Sequence, residues 1–517
     1  MKKRLLSVIL TSAMAAGMLA GCGSGSTGTS QSASDTSAST SEAASETTSA
    51  AAAVPSDDTD YDFYIFNGKG EIADSLQAAV DAYSSENNVK IKLFTLGSGV
   101  DSTELLRTEL NSEHMPTVFT IQDSQYLQEY LEGGFAMDVS QATNEDFKTL
   151  AGQVSSNQIL SRDGSTNYGI PYTVEGYGYI VDKNMLASLF GKDNVDAWLE
   201  AYKTATYDEF VSMVNDCDAY IKNGSADPVV LSGKSFEFQP KDDLTNQLEG
   251  VFAVAGSEKW TYGDHLINIA IDAVFPTALD AANATADQLD AGEPVFEKYA
   301  ELADILTAHA TTPRGPELIE ASTNSYDMQT QNFANHKAIF VKQGNWAYNG
   351  YVSANADVKD SLTFIPIKFG ATDDQIKSGL TQEDMNTSIP VFVPQYWAIN
   401  AKCADEEKDK AEAFIAWLYT SDEGISFVKD QMSMIPWNAD PSTTSAGYCL
   451  GDSILQYMGE GKTITNAYAG CPASWATNTL GQYMLENYVN TAEWPDTAYS
   501  DIANYVISSW KEAAGLG

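Results

Sequence analysis

The stretch YDFYIFNGKGEIADSLQAAVDAYSSENNVKIKLFTL, residues 61–96, changes its hydrophobic period twice. Residues 61–66 alternate and are rich in aromatic side chains, which predicts a strand. Residues 76–83 then carry apolar side chains at helical spacing, and residues 89–96 predict a second strand. A strand, a helix and a strand in this order predict a parallel sheet with helices on both faces.

The same alternation continues beyond this stretch. Residues 103–111 predict a helix, residues 117–121 a buried strand after a proline, and residues 124–131 a helix that two glycines stop. Ligands of such sheets bind at the carboxyl ends of the strands. We therefore expect residues 67–70 (NGKG) and 122–123 (QD) to lie at a binding site.

The pattern changes in the middle of the chain. Residues 177–181 predict a strand, and a long, mostly helical region follows over residues 185–311. A helix pair is predicted at residues 410–418 and 424–429, with SDE between the two as a helix start. The chain is thus predicted to be α/β and to form more than one domain.

Composition excludes several classes of protein. The chain has 517 residues, with 71 acidic and 29 basic side chains and a formal net charge of −42. This charge would repel duplex nucleic acid and an anionic lipid surface, so neither is an expected partner. Hydrophobic residues make up 43% of the chain, which is enough for more than one core and excludes global disorder.

The N-terminus has the three parts of an export signal. In residues 1–21, basic residues at 2–4 precede an apolar run over 5–19, which is short for a membrane span. Residues 19–22, LAGC, are similar to a bacterial lipobox, which implies cleavage before Cys22 and lipid attachment to its thiol. A plain secretion signal with an incidental cysteine is the alternative.

A low-complexity segment follows the signal. Residues 23–59 consist mainly of Ser, Thr, Ala and Gly, with no basic or aromatic side chain. Such a segment cannot bury enough apolar surface to offset its ordering entropy. We expect residues 22–59 to be a lipidated cysteine and a disordered tether, which would hold a globular body at the outer face of the cell membrane.

Signatures of catalysis and of metal binding are missing. The histidines are dispersed, and neither HExxH, CxxC nor GxSxG occurs. We therefore expect no enzyme activity, no cofactor and no metal site. Acidic residues are so abundant that a glycosidase carboxylate pair stays open as an alternative. The remaining cysteines can be buried thiols or form one disulfide, with Cys449–Cys471 the most local pairing: Cys217, Cys403, Cys449 and Cys471.

Several aromatic residues lie beside turns and amides, where they could stack on the apolar faces of a sugar ring. They include Tyr172, Tyr177, Trp260, Tyr262, Trp346, Tyr396, Trp397 and Trp475. Each of these residues taken alone is better explained as a core residue, so the pattern indicates a carbohydrate site only as a group.

Several stretches together carry a family resemblance. They are residues 168–176 (YGIPYTVEG) with 180–184 (IVDKN), 333–347 (FANHKAIFVKQGNWA), 397–400 (WAIN) with 410–415 (KAEAFI), 419–424 (YTSDEG) with 435–436 (IP), and 116–139. With these stretches the chain resembles the extracytoplasmic solute-binding proteins of carbohydrate ABC transporters, family 1. Residues 370–386 have no counterpart in that pattern.

The resemblance implies a two-lobed periplasmic-binding-protein-like fold, with a mostly parallel, helix-flanked sheet in each lobe and the ligand cleft at the hinge. The implied N-terminal lobe is residues 60–169 plus 368–400, and the C-terminal lobe is residues 172–366 plus 403–517. The implied crossovers lie near residues 168–172, 365–391 and 399–403.

The resemblance also implies site residues. Trp346 and Trp475 are expected to stack on the ligand, with Trp260 or Tyr262 as a third aromatic. Glu175, beside the first hinge, is expected to bond the ligand. The other implied contacts are Asp123 and Asn67 from the N-terminal lobe. Tyr172 and Trp397 are further candidate ligand contacts, because they are aromatic residues next to the expected hinge.

The implied function is capture of a carbohydrate, most simply an oligosaccharide, by hinge closure. A monomer anchored to the membrane through Cys22 would then deliver it to the integral-membrane permease subunits of an ABC importer. Two alternatives remain open at this point, a solute-binding protein for a peptide, polyamine or metal complex and a secreted glycoside-active enzyme. A cationic cargo would require several acidic side chains among the aromatic ones.

Overall fold

The computed structural model describes residues 60–97, 103–155 and 158–517, except for the side chain of Asp123. The predicted signal at 1–21 and the lipidated cysteine and tether at 22–59 lie outside the described residues. In the described part of the chain, no helix is both long and apolar enough to cross a membrane.

The strands fall into two large sheets and one hairpin. They are β1 (Phe63–Asn67), β2 (Ile91–Thr95), β3 (Val118–Gln122), β4 (Ile170–Pro171), β5 (Glu175–Asp182), β6 (Val229–Leu231), β7 (Lys234–Phe236), β8 (Gly250–Ala253), β9 (Ala338–Gly344), β10 (Leu362–Ile365), β11 (Ile389–Phe392), β12 (Gln395–Ile399) and β13 (Thr463–Ile464). The strands predicted at 61–66, 89–96, 117–121 and 177–181 correspond to β1, β2, β3 and β5.

Helices cover both sheets. The α-helices are α1 (Ala73–Asn87), α2 (Thr103–Leu110), α3 (Asp123–Glu132), α4 (Glu145–Ala151), α5 (Lys183–Phe190), α6 (Val195–Thr204), α7 (Tyr207–Asn223), α8 (Lys259–Tyr262), α9 (Asn268–Val274), α10 (Ala278–Ala282), α11 (Ala286–Ala291), α12 (Glu293–Ala308), α13 (Ala321–Asn324), α14 (Tyr326–Ala334), α15 (Tyr348–Ala354), α16 (Gln382–Thr387), α17 (Asp405–Thr420), α18 (Asp422–Ser426), α19 (Cys449–Gly459), α20 (Gln482–Met484) and α21 (Ala498–Ala513). The 3-10 turns are Gly70–Ile72, Val139–Gln141, Lys192–Asn194, Thr245–Gln247, Asn345–Ala347, Ala356–Val358 and Ala467–Gly470. The π-helical segments are Gly263–Ile267, Phe427–Gln431, Trp475–Gly481 and Leu485–Val489.

The first sheet has the strand order β2-β1-β3-β12-β4. Strand β1 pairs in parallel with β2 and β3, as the sequence predicts. Strand β12 arrives much later in the chain and runs antiparallel to both β3 and β4. The sheet is therefore mixed, because its return strand enters from the opposite end.

The second sheet has the strand order β13-β11-β5-β9-β8, and β10 pairs with β5 as well. Strand β5 is antiparallel to its neighbours β9, β10 and β11, while the pairs β8–β9 and β11–β13 are parallel. The expected mostly parallel sheet is thus a mixed one here. The residues of β5 are buried along their whole length, which is typical of a central strand covered on both faces.

The predicted lobe boundaries need correction after residue 366. Residues 368–392 were expected beside the first sheet, but β11 pairs with β5 of the second sheet. Phe369, Ile376 and Met385 also belong to the second sheet's hydrophobic core. The segment 370–386, which no family stretch explains, therefore extends that core.

The predicted lobe of helix α17 also needs correction, because this helix packs on the first sheet. It was expected in the C-terminal lobe, but its residue Phe414 packs against Phe63 of β1, with 6.2 Å between the ring centroids. The carboxylate of Glu412 accepts hydrogen bonds from the backbone N–H groups of Thr143 and Asn144 at 2.9 and 2.8 Å. These contacts fix α17 to the first sheet.

These contacts show where the chain crosses from one sheet to the other, and we call each such crossing a passage. The chain leaves the first sheet between β4 and β5, close to the predicted position, and returns between β11 and β12. The third passage comes after residue 431, where the backbone N–H of Val174 bonds the carbonyl of Ile435 at 3.0 Å. The crossover predicted at 399–403 is wrong, since those residues only connect β12 to α17.

Candidate functional site

A cavity of about 260 Å³ lies between elements of the two sheets. Its volume is just below the range of about 300–1,000 Å³ that is usual for small-molecule sites. The first-sheet side contributes Gly68, Lys69, Glu71, Gln122, Tyr126 and Gln395. The cavity therefore includes parts of residues 67–70 and 122–123, the strand ends at which a ligand was expected.

A row of aromatic rings forms the opposite side, which we call the aromatic wall: Tyr326, Trp260, His265, Trp346 and Phe392. Successive ring centroids along the wall are 5.8, 4.6, 5.4 and 6.4 Å apart. These separations are those of packed aromatic pairs, so the rings form one continuous surface.

Trp346 is held in place by a chain of amide hydrogen bonds. Its Nε1–H donates to Gln343 Oε1 at 2.8 Å, and Gln343 Nε2 donates to Gln329 Oε1 at 2.9 Å. Gln329 Nε2 donates in turn to the carbonyl of Ala253 at 3.1 Å. A β-carbon at Gly344 would lie 2.0 Å from the Trp346 ring, so only glycine allows the ring to fold over the backbone there.

A buried ion pair spans the cavity. Lys69 Nζ, on the first-sheet side, lies 2.7 Å from Glu175 Oε1 at the start of β5, with side-chain exposures of 8% and 4%. Burial opposes the charge on Lys69, but Glu175 and Glu71 outweigh it and raise the lysine's pKa. Burial raises the pKa of Glu175, and Lys69 opposes this shift. The two side chains thus depend on each other for their charge.

Asn67 organises the turn that carries Lys69. Its Nδ2 donates to the carbonyl of Lys69 at 3.0 Å, and its Oδ1 accepts from the backbone N–H of Lys69 at 3.2 Å. The hydroxyl of Tyr172 also donates to Asn67 Oδ1, at 3.1 Å. Asn67 is fully buried and does not line the cavity. It supports the site from behind instead of facing a ligand.

Two π-helical segments meet at the edge of the aromatic wall. Asp264 and His265 lie in the first, and Thr477 and Asn478 lie in the second. The hydroxyl of Thr477 donates to Asp264 Oδ1, and a β-carbon at Gly263 would be 2.3 Å from a carbonyl of the second segment. Wider π turns are frequent at functional sites because they redirect side chains within a helix.

Burial lowers the pKa values of two titratable side chains at the aromatic wall, those of His265 and the neighbouring Lys342. Burial and the neighbouring Lys342 lower the pKa of His265 well below its usual range, so this imidazole is neutral at pH 7. Burial also lowers the pKa of Lys342 well below its usual range. The charged side chains that line the cavity are therefore Lys69, Glu71, Glu175 and Asp264.

The structure brings Trp346, Glu175 and Trp260 of the predicted site residues into the cavity. The side chain of Asp123 and the predicted lipidation site Cys22 lie outside the described residues. The other predicted residues are near the cavity in sequence but have side chains in the interior.

Trp475 is the largest departure from the predicted site. Its ring is 2% exposed, packs 4.8 Å from Trp510 and donates from Nε1 to the Ser509 hydroxyl at 2.9 Å. The π turn that begins at Trp475 sends this ring into the core and leaves Ser474, Thr477 and Asn478 to line the cavity. This placement removes the basis for a stacking role.

The hinge-adjacent aromatics also lie in the interior. Tyr172 and Trp397 stack on each other with 4.1 Å between centroids, and Trp397 Nε1 donates to the Tyr419 hydroxyl at 2.9 Å. Tyr262, the last residue of α8, is fully buried, and its hydroxyl donates to the carbonyl of Gly256 at 3.2 Å. These three rings pack in the interior, next to the passages and in the core, and they do not face the cavity.

Sequence reasoning missed the cavity residues Glu71, Tyr126, Asp264, His265, Tyr326, Phe392 and Asn478. Of these residues, only Glu71 could have been found from the sequence, because it directly follows the turn at 67–70, where a ligand was expected. The others come from segments that are far apart in the sequence, and no local pattern separates them from core or surface residues.

All four described cysteines are free thiols, so the alternative with a disulfide does not hold. They are Cys217, Cys403, Cys449 and Cys471. Among the described residues, no group of acidic, histidine and cysteine side chains is arranged to hold a metal ion.

Solved structures with a similar fold include the solute-binding protein RafE in complex with raffinose (16% identity, 87% of this chain and 99% of that chain covered, TM-score 0.59). A chitin oligosaccharide binding protein is similar as well (14% identity, 88% and 98% covered, TM-score 0.58). So is the GacH receptor of Streptomyces glaucescens, solved unliganded and with acarbose (12% identity, 88% and 98% covered, TM-score 0.58).

These likenesses confirm the predicted two-lobed fold of the periplasmic binding proteins. No curated protein matches the sequence. The family of bacterial extracellular solute-binding proteins, which are binding proteins and not enzymes, matches residues 78–446. The chain therefore belongs to the bacterial extracellular solute-binding proteins.

Proposed function

We propose that this solute-binding protein captures a carbohydrate in the cavity between its two sheets. The observation that carries the proposal is the aromatic wall, with Trp346 and Trp260 as its large, half-buried rings. A pyranose ring has apolar C–H faces and a polar rim, so it needs aromatic surfaces together with amides and carboxylates. The opposite side supplies these in Gln122, Glu71 and Gln395. RafE, GacH and the chitin oligosaccharide binding protein, which share the fold, bind sugars or sugar-like ligands.

Capture would occur by closure of two lobes. We assign residues 60–171 with 395–431 to one lobe and residues 175–392 with 435–517 to the other, since these segments share sheets. A ligand that contacts both lobes favours the closed state by its additional contacts there. Moving the population from 1:99 to 99:1 requires about 5.5 kcal/mol of differential binding. Several stacked rings and charge-assisted hydrogen bonds supply energies of that order.

The loaded protein would then deliver its cargo to the permease subunits of an ABC importer. We infer that it is exported as a monomer and anchored at Cys22, which would keep it near such a permease. The anchor can be tested by expressing the full-length protein and its Cys22→Ser variant in a bacterial host. We expect the wild type in the detergent phase of a two-phase extraction and the variant in the aqueous phase. Identical partition of the two would contradict the anchor.

Binding is tested best with the protein from residue 60 onward, by calorimetry and intrinsic tryptophan fluorescence. A panel of mono- and oligosaccharides should include at least one ligand that binds with a dissociation constant in the micromolar range or below and shifts the emission. Product analysis of the same mixtures should recover the sugar intact. Binding of peptides or polyamines in place of every sugar would contradict the proposal, and cleavage of the bound sugar would favour a glycoside-active enzyme.

A further inference from the structure

A second cavity of about 260 Å³ adjoins the first one. Tyr126 and Ser474 line the first cavity, and the residues that directly precede them, Gln125 and Ala473, line the second. The volume of the second cavity is just below the range of about 300–1,000 Å³ that is usual for small-molecule sites, so it suits a small group better than a whole oligosaccharide. None of the side chains assigned above to the carbohydrate lines this cavity.

Residues of both proposed lobes bound the second cavity. Gln125 and Arg162 belong to the lobe of the first sheet, whereas Trp510 belongs to the core of the second sheet. Beside the cavity the Ser124 hydroxyl donates to the carbonyl of Ala469 at 2.9 Å, so the two sides are in direct contact there. A group that binds in this cavity contacts both lobes and therefore favours their closed arrangement.

Arg162 is the one charged side chain that lines the second cavity among the described residues. This half-buried side chain forms no hydrogen bond or ion pair with another described residue. The carboxylate of the adjacent Asp163 bonds within its own loop, where it accepts from the backbone N–H groups of Ser165 and Thr166, both at 2.8 Å. Arg162 thus brings a positive charge to this cavity in a chain with 71 acidic and 29 basic side chains.

The rest of the lining leaves room beside this charge. Alanine side chains line much of the cavity: Ala281, Ala282, Ala284, Ala513 and Ala514. They are too short to fill the space, and no acidic side chain is among the described residues that line it. An anionic group that enters the cavity therefore meets a guanidinium and no lining carboxylate.

We propose that the second cavity binds an oxyanion, that is a carboxylate, sulfate or phosphate group, through the guanidinium of Arg162. A guanidinium is planar and always charged, and its N–H donors match two oxygen atoms of such a group. The oxyanion has two possible sources, an acidic sugar within the cargo or a separate small anion. The first source rests on the proposed carbohydrate function, whereas the second is independent of it.

The net charge of −42 does not exclude an anion from this cavity. At physiological ionic strength, salt screens exposed charges over a distance of about 8 Å. The groups that lie next to the bound anion therefore decide whether it binds. Among the lining side chains this group is Arg162, and a half-buried charge is screened less than an exposed one.

The test is calorimetry of the full-length protein in a buffer that contains chloride as its only other anion. The free probes are sulfate, phosphate and acetate. The sugar probes are glucuronate, galacturonate and their short oligomers, each compared with the neutral glucose or galactose counterpart. We expect at least one anionic probe to bind with a dissociation constant of about 1 mM or below.

Variants separate the cavity from the overall charge. Arg162→Gln should weaken binding of the anionic probe at least about 10-fold, because charge-assisted hydrogen bonds contribute energies of that order. Lys234→Gln makes the same charge change at an exposed position of β7 and should leave binding unchanged. Ala514→Leu keeps Arg162 but fills part of the cavity, so it should weaken binding as well. Arg162→Lys keeps the charge without the planar fork, and we expect an intermediate loss.

The two sources of the oxyanion give different results. If it belongs to the cargo, the uronate oligomer binds more tightly than its neutral counterpart, and sulfate or phosphate competes with it. If it is a separate anion, sulfate or phosphate strengthens binding of a neutral sugar, because both ligands favour the closed lobes. Either effect should be lost in Arg162→Gln.

The outcomes distinguish this inference from the proposed function. Absence of binding by every anionic probe, or equal binding by the wild type and Arg162→Gln, would overturn the inference and leave carbohydrate capture intact. If Arg162 only caps the C-terminus of α21, Arg162→Gln will lower the urea midpoint without changing anion binding, which would overturn it too. Unchanged binding in Ala514→Leu would place the anion outside the cavity and contradict the inference. Binding of a free anion that depends on Arg162, without binding of any sugar, would support the inference and contradict the proposed function.

Discussion

Replacing Trp346 by alanine should weaken binding of the cognate sugar by at least about 100-fold, which is about 2.7 kcal/mol. The ring stands in the middle of the aromatic wall, between His265 and Phe392, so its removal breaks the stacking surface. Central aromatic side chains that a partner desolvates typically contribute energies of this size. Calorimetry with the best ligand of the panel measures the change.

The matched control for this substitution is Trp494→Ala. Trp494 is also half-buried, but it donates from Nε1 to the carbonyl of Tyr488 and does not line the cavity. Its removal should leave sugar affinity unchanged. Trp346→Phe keeps a ring but loses the bond to Gln343, and we expect a loss between those of the wild type and Trp346→Ala. Unaltered affinity in Trp346→Ala would contradict the assignment of the wall as the binding surface.

Lys69→Met should lower the free energy of unfolding by about 3–5 kcal/mol, because it leaves the carboxylate of Glu175 buried without a counter-charge. The double variant Lys69→Met/Glu175→Gln removes both charges and should recover most of this loss. Urea unfolding of the four proteins in the cycle measures the coupling between the two side chains. A double variant as unstable as Lys69→Met would show that the ion pair is not the cause.

The free energy of unfolding of Lys69→Met should decrease as the pH rises. Burial raises the pKa of Glu175, and in Lys69→Met no lysine opposes this shift. The folded variant then binds a proton at Glu175 more readily than the unfolded chain does, so its stability decreases as pH rises from about 5 to 8. The double variant has no carboxyl group at this position and should lack the dependence.

The local periodicity of residues 61–131 was sufficient to predict the first strands and helices. The predicted strand and helix order agrees with β1, α1, β2, α2, β3 and α3, because the apolar residues follow the period of a strand and of a helix in turn. Residues 368–392 and 403–431 were assigned to the wrong lobes, whereas β12 was assigned correctly. The sequence of α17 does not predict which of the two sheets its apolar face packs against, because a ring such as that of Phe414 could be buried in either core. Such assignments depend on contacts between residues that are far apart in the chain.

The site was predictable where a strand end or a glycine turn marked it. The turn at residues 67–70, Glu175 beside the first passage, and Trp346 after Gly344 all carry such a mark. Trp475 has the large aromatic ring that a stacking residue needs. Its ring nevertheless lies in the core, because the π turn that begins at Trp475 directs it toward Trp510. His265 and Asp264 depend on the other π turn, and sequence periodicity does not predict these wider turns.

The position of β12 has a consequence for how the chain folds. This strand lies between β3 and β4, and the helix that follows it holds Asp62 through Lys410, 348 residues later in the sequence. The first sheet therefore cannot close during synthesis until most of the chain has been made. Such a high contact order implies slow folding.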